Sequence, residues 1–408
     1  MSKNCILFLY QYPFQTSEPF METEIRYLCE RFAHICIFSV NIKPGAKMTR
    51  TIPDGVEAFP LDCGHKKISN VIRGLFTRDD PFRHSVDGKG LKRHIADLYT
   101  RGRFHHVYKK AKTVLAKTHF DCTDVVIYSY WLNASYAAIL LRDHIQKQGG
   151  VATAIARAHG YDLYAERNAL KYLPYQGEYV KALDKVYPVS EDGRVYLVNK
   201  YPACIEKFHV ARLGTKDHGI APIPPADEFI FVTCSRYRKL KRLDLFARAF
   251  ALLKARHPKV TWVCIGDGEE KDELFALFET LGIRGNMLIT GRMPNEKVLQ
   301  YYQDHPLSYF VNVSSMEGVP VSIMEAMSFG LPCIATDVGG TGEIVNGENG
   351  LLLPENLTPE SLFSALEGEM RIGHKSYLKK RAQARKTWEN HCAAEKTYRQ
   401  WADSLIGS

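Results

Sequence analysis

The sequence predicts an α/β protein of two doubly wound domains facing across a cleft, on three observations. Short apolar runs alternate with longer stretches of helical periodicity, the arrangement that gives a parallel sheet with helices on both faces. These runs fall into two series of five, separated by Leu213 to Pro225, a stretch with two glycines and three prolines that reads as a hinge. The 408 residues, 45% of them hydrophobic, suffice for two to three domains with filled cores.

In chain order, the first strand candidates are Cys5 to Tyr10, His34 to Val40, Asp124 to Tyr130, Val151 to Ala158 and Lys185 to Val189. The second series is Phe229 to Cys234, Val260 to Ile265, Met287 to Thr290, Leu307 to Val313 and Pro332 to Thr336. The division that follows is residues 1–212, residues 213–385 and a closing stretch 386–408, where Trp388 to Trp401 carry apolar and aromatic residues at helical spacing. Sheets of this kind bind ligands outside the carboxyl ends of their strands, so the loops there are the candidate sites.

One such loop holds two acids. The run Ser308 to Val313 ends in Ser314 and Ser315, and a helix then opens, with Pro320 fitting its first turn and Gly330 its end. Glu317 falls in the loop and Glu325 about two turns along the helix. The N–H groups and partial positive charge of a helix start suit a phosphate, and a carboxylate accepts from two hydroxyls at once, as on a sugar ring or a ribose. The same acids suit a solvated loop and a helix N-terminus equally well. After Phe229 to Cys234 come five basic residues in seven positions, Arg236 to Arg242, which fit a diphosphate or a solvated basic turn. Ile265-Gly266-Asp267-Gly268-Glu269 reads as a tight strand-to-helix bend.

Charge and cysteines narrow the setting. A formal charge of +9 favours anionic partners without choosing among nucleotides, lipid phosphates and nucleic acid. Nucleic-acid binding rests on charge alone and is not expected. Ten cysteines stand singly with no C-x-x-C pair, as buried thiols do in a reducing compartment. Cys5 to Tyr10 is too short for a signal peptide, and no run reaches the roughly 18 to 20 apolar residues of a membrane span. The expectation is a cytoplasmic protein, peripheral on the inner face of the cell membrane. Residues 66–117 are rich in Lys, Arg and His with Val71, Ile72, Leu75 and Phe76 among them. That stretch suits either an amphipathic surface on anionic lipid or the solvated face of ordinary helices.

The segment Ser315 to Gly330 resembles the E-x7-E signature of retaining GT-B glycosyltransferases of family 4, the group 1 glycosyltransferases. The likeness continues through Leu331 to Gly340, Glu343 to Val345 and Asn349 to Leu352. It implies two Rossmann-like domains, the first binding the acceptor and the second the nucleotide sugar, with the last helix crossing back to the first and Trp401 in its core. Arg236 and Lys241 have the family's spacing of cations that hold the donor diphosphate. Glu317, with the backbone of Gly318, Val319, Pro320 and Val321, corresponds to the donor-sugar and diphosphate contacts, and Glu325 to the ribose contact. Arg292 and Met293 fall where similar proteins meet the nucleobase. His159, in Arg157-Ala158-His159-Gly160-Tyr161-Asp162, resembles the H-G-x-D step that approaches the donor sugar.

Departures accompany the likeness. Ser235 and Arg242 stand where glycine is more usual, and the first loop, Pro13 to Glu24, lacks the family's Gly-Gly. Its acids Glu18 and Glu22, with Asp162, are candidates for acceptor hydroxyls, although acids near a helix's first turns also answer its dipole. The pieces Ser17 to Phe20 and Arg157 to Tyr164 look most like bacterial enzymes that build surface polysaccharide. The resemblance therefore implies transfer of a hexosyl or N-acetylhexosaminyl group from a UDP- or GDP-linked donor to a glycan or lipid-linked acceptor. No cofactor is expected, and no metal, since there is no D-x-D and no cluster with metal-ligand spacing. A sugar-nucleotide epimerase of the same fold and a catalytically silent partner subunit are the alternatives.

Overall fold

The computed structural model describes residues 3–15, 18–64, 67–77, 81–82 and 90–407. Ser17 and Lys66, which belong to segments singled out above, lie outside the described residues. The chain divides into two compact units, Met1–Arg212 with Tyr398–Ser408, and Leu213–Thr397.

The first unit holds six parallel strands: β1 (Asn4–Leu9), β2 (Ile35–Ser39), β3 (Val56–Pro60), β4 (Asp124–Ser129), β5 (Val151–Ala158) and β6 (Lys185–Pro188). Their spatial order is β3-β2-β1-β4-β5-β6. Central β1 pairs on both sides, Cys5 with Ile35 and with Val126, and every one of its residues is buried. Burial on both faces is why it reads as one apolar run. Among its helices are α1 (Met21–Cys29), α2 (Lys67–Phe76) and α3 (Leu91–Thr118).

The second unit repeats the plan with β7 (Ile230–Cys234), β8 (Thr261–Ile265), β9 (Met287–Gly291), β10 (Tyr309–Asn312), β11 (Cys333–Thr336) and β12 (Gly350–Leu353), in the order β12-β11-β10-β7-β8-β9. In both sheets the strand order reverses beside the first strand, between β1 and β4 and between β7 and β10. Two strands were not expected, β3 and β12, and both lie at a sheet edge. β3 carries an acid and ends in proline, as a half-solvated edge tolerates. β12 opens on Gly350, where a Cβ would lie 2.1 Å from the Cys333 carbonyl oxygen, so close strand approach rather than apolar patterning selects the residue.

Each core has its own anchor. In the second unit Trp262 is fully buried, edge-on to Phe246 at 4.7 Å and Phe278 at 5.2 Å. In the first, Arg157 of β5 donates to Glu24 of α1 at 2.5 Å, with both side chains fully buried. Tyr128 and the Trp401 indole donate to the other Glu24 oxygen at 3.1 and 2.8 Å, and the Arg157 guanidinium lies 4.6 Å from the Trp401 ring. These bonds hold the last helix against the first sheet. The preceding helix, His374–His391, stays with the second unit, where Arg385 donates to Asp217 and Trp388 to Thr215, strapping down the stretch expected to be a hinge.

Candidate active site

At the reversal point of the second sheet, the loops after β7 and β10 come together. Lys241 donates to Glu317 at 2.6 Å, and Asn312, at the end of β10, donates to the same carboxylate oxygen at 3.1 Å. Only 21% of the Lys241 side chain and 12% of that of Glu317 reach solvent, so the pair is a largely desolvated charge couple. Arg236 and Arg238 donate to the two oxygens of Glu269 at 3.1 and 2.8 Å, out in solvent. The Glu269 backbone N–H, and then Arg238, hold that carboxyl down to about 2.

Close backbone contact shapes these loops. A Cβ on Gly266 would lie 1.9 Å from the Ser235 carbonyl oxygen, and one on Gly268 2.4 Å from that of Tyr237, so the turn after β8 seats directly on the turn after β7. Gly339, at φ +56°, leaves room for the Glu317 carbonyl, while Gly340 donates to the Gly318 carbonyl at 2.6 Å. Arg242 adopts a left-handed conformation, φ 48° and ψ 40°, which costs a residue with a side chain on the order of 1–2 kcal/mol. Its guanidinium donates to the carbonyls of Val313, Glu355 and Ser314 at 2.6, 2.7 and 3.2 Å, which offsets that cost. Here a side chain clamps the loop where a glycine would merely permit it.

The helix after the loop is Val321–Ser328, with Pro320 as its extended N-cap residue, so the proline stands just before the first turn rather than in it. Pro320 has no N–H and contributes shape rather than a donor; its carbonyl accepts from Ile323 and Met324. Glu325 accepts from Asn295 at 2.8 Å. Part of Glu325 still meets solvent, yet the surrounding protein excludes enough water to push its pKa up to about 7. Asn295 opens a helix directly after Arg292 and Met293, which line a cleft of about 650 Å³ with Ser235, Arg236 and the Gly266–Gly268 turn. That volume suits a small-molecule ligand.

The reversal point of the first sheet is built differently. Glu18, itself left-handed at φ 59°, accepts from the backbone N–H groups of Tyr10, Gln11 and Tyr12 at 3.0, 2.8 and 2.9 Å and from the Trp131 indole at 2.7 Å. Asp162 accepts from the N–H groups of His159 at 2.7 Å and Leu132 at 2.5 Å, and burial pushes its pKa up to about 7. Both acids, expected among acceptor ligands, are occupied in holding loops. Glu22 is partly exposed, 3.5 Å from Arg50. His159 is buried with its ring centre 4.5 Å from that of Trp131 and 4.8 Å from that of Tyr130, and neither ring nitrogen has a hydrogen-bond partner among the described residues. Desolvation, reinforced by the Arg157 charge, holds its pKa well below the usual value, so the imidazole is neutral.

Comparison with known proteins supplies the family. The glycosyl transferases group 1 family matches residues 220–387. N-acetyl-alpha-D-glucosaminyl L-malate synthase of Bacillus anthracis is 31% identical over 292 residues, 64% of this chain and 73% of that enzyme. The chain belongs to the group 1 glycosyltransferases. The putative colanic acid biosynthesis glycosyltransferase WcaL of Salmonella typhimurium is 27% identical over 251 residues, 59% of this chain and 60% of WcaL, so the match spans less than two thirds of that relative. The crystal structure of Anabaena Alr3699/HepE in complex with UDP superposes with a TM-score of 0.68 at 15% identity, covering 100% of both chains, a likeness of fold. The fold of this group 1 glycosyltransferase is GT-B.

Within the second unit the structure brings Arg236, Arg292 and Met293 to one cleft, and joins Lys241 to Glu317 on the neighbouring strand pair through the loop that also carries Arg236. Sequence reasoning missed Glu269, Asn295, Asn312 and the clamp by Arg242. Only Arg242 left a signal, a bulky residue at a position where the family favours glycine.

Proposed function

We propose that this group 1 glycosyltransferase moves a hexosyl or N-acetylhexosaminyl group from a UDP- or GDP-linked donor to a glycan or lipid-linked acceptor, with retention at the anomeric carbon, in assembly of cell-surface polysaccharide. The observation that carries this reading is the Lys241–Glu317 couple at 2.6 Å beside the cleft lined by Arg236. A diphosphate draws the Lys241 ammonium and the Arg236 guanidinium from their resting carboxylates, and their charge stabilises the leaving group as the anomeric bond loosens. Glu317, with the N–H groups of Gly318, Val319 and Val321, holds the sugar, and ionised Glu325 grips the ribose hydroxyls. Neutral His159 serves as a hydrogen-bonding group rather than a proton carrier. The acceptor hydroxyl attacks from the face the diphosphate leaves, as a family 4 mechanism requires.

Protein cations do the work a divalent metal does elsewhere, so chelator should leave turnover unchanged; loss restored by magnesium or manganese would refute that. The UDP bound to HepE supports a nucleotide-sugar donor, the glucosaminyl group in the synthase's name an N-acetylhexosaminyl transfer, and the colanic acid in that of WcaL a role in surface glycans. Ten free cysteines suit a reducing cytoplasm. The deciding experiment is a thermal-shift panel of UDP, GDP, ADP and CMP on wild type and Glu325→Ala. A ligand at a hundred times its Kd adds about 2.7 kcal/mol of stability. A shift with one nucleotide that vanishes in the variant supports the site and names the donor class; no shift with any of them overturns the reading.

A further inference from the structure

The apolar stripe of α2 faces the wrong way for a helix whose only task is to cover a sheet. Ile68, Ile72, Leu75 and Phe76 follow one another at i, i+4, i+7 and i+8, a single helical face. They are 76%, 49%, 56% and 75% exposed. The opposite face is buried and carries Asn70 and Gly74. Orientation is pinned by backbone contact with α3: a Cβ on Gly74 would lie 2.0 Å from the Leu98 carbonyl oxygen, and one on Gly102 1.9 Å from that of Asn70. No larger residue fits in that seam, so α2 cannot roll its stripe inward. The same contacts make the pair antiparallel, which sets Leu75 and Phe76 at the end of α2 nearest the first turns of α3. There Leu91 and Ile95 are 75% and 43% exposed.

Charge indicates what covers this surface. The described residues 67–77 and 90–96 contain Lys67, Arg73, Lys92, Arg93 and His94 and no acid, and all but Arg93 of these are exposed. An apolar stripe rimmed by cations matches an anionic bilayer, into which the stripe sinks to headgroup depth while the cations stay at the phosphates. Its position also fits. Arg103, roughly 12 Å further along α3, donates to Asn41 at 2.6 Å and stacks on Tyr10, the residues that follow β2 and β1. The surface thus stands next to the carboxyl ends of the first sheet.

We propose that the outward face of α2 and the first turns of α3 form a docking surface for an anionic lipid bilayer. The test is flotation with vesicles of phosphatidylcholine, with and without phosphatidylglycerol, in the absence of any sugar donor, so its outcome is independent of the transfer reading. Wild type should float with the phosphatidylglycerol vesicles and release as salt is raised. Ile72→Asp with Phe76→Asp, and separately Lys67→Glu with Lys92→Glu, should each weaken partition at least about tenfold with unchanged melting temperature, since every altered side chain is exposed. Wild type remaining with the soluble fraction at all phosphatidylglycerol contents overturns the proposal. So does flotation that both variant sets leave intact, or a dimer by light scattering that the aspartate pair dissolves, which would assign the surface to a second copy of the chain.

Discussion

The two sheets share one strand order and differ in what stands where that order reverses. Between β7 and β10 the loops are charged, with Lys241 on Glu317 mostly withdrawn from water and Arg236 and Arg238 on Glu269 out in it. Between β1 and β4 they are aromatic and buried, with Trp131 and Tyr130 against a neutral His159 whose ring nitrogens have no partner among the described residues, and with Glu18 filled by four N–H donors. The first sheet places the ion pair Glu24–Arg157 fully inside its core, whereas Arg236 and Arg238 at the second sheet's reversal stand in solvent. One topology thus supports two chemistries, because strand order fixes only where loops converge and side chains decide what the convergence holds.

The sharpest way to break that comparison is to remove one partner from each kind of pair. Glu24→Gln leaves the Arg157 guanidinium buried without its counter-charge and should cost about 3–5 kcal/mol in denaturant unfolding. Arg236→Ala, whose side chain is 69% exposed, should leave stability almost unchanged while lowering transfer. Equal stability losses in the two variants would erase the distinction between a structural and an exchangeable pair.

Next in size, Lys241→Ala should lower turnover roughly a hundredfold or more in a steady-state transfer assay. Turnover within severalfold of wild type would remove Lys241 from the leaving-group role.

Glu325 sharpens the comparison through pH. Its folded pKa of about 7 lies above the unfolded value, so its contribution to stability is present in acid and is lost as pH rises through 7. Glu325→Gln should therefore stabilise the protein at pH 8 by on the order of 2–3 kcal/mol and lose that advantage toward pH 4, while nucleotide binding weakens. Melting curves that respond identically to pH in both proteins would contradict the burial argument. The smallest effect belongs to Arg242→Gly, which relieves left-handed strain and removes three hydrogen bonds. Stability should change by no more than about 1 kcal/mol, with the loss showing instead as weaker donor binding. Arg242→Lys, strained but unable to reach three carbonyls, should not restore that binding.

Much of the fold and part of the site were legible because their signals are local. All ten expected strands are present within a residue or two, most of them because strands buried on both faces are continuously apolar, and the Glu317 loop and the Gly266–Gly268 turn announce themselves by glycine, proline and acid at short spacing. Edge strand β3 escaped because it carries an acid and a proline, which a half-solvated edge tolerates, and β12 because three leucines behind a glycine are too short a run to announce a strand. What the sequence by itself determined is the two-domain α/β plan and the loops that stand at the carboxyl ends of its strands. Only the tertiary structure decided that Lys241 meets Glu317 across 76 residues, that Asn295 meets Glu325 across 30, that Glu18 and Asp162 spend their carboxylates on backbone N–H groups, and that α2 turns its apolar face outward. Each of these depends on which element packs beside which, and residues distant in the chain acquire partners only when the sheet order brings their loops together.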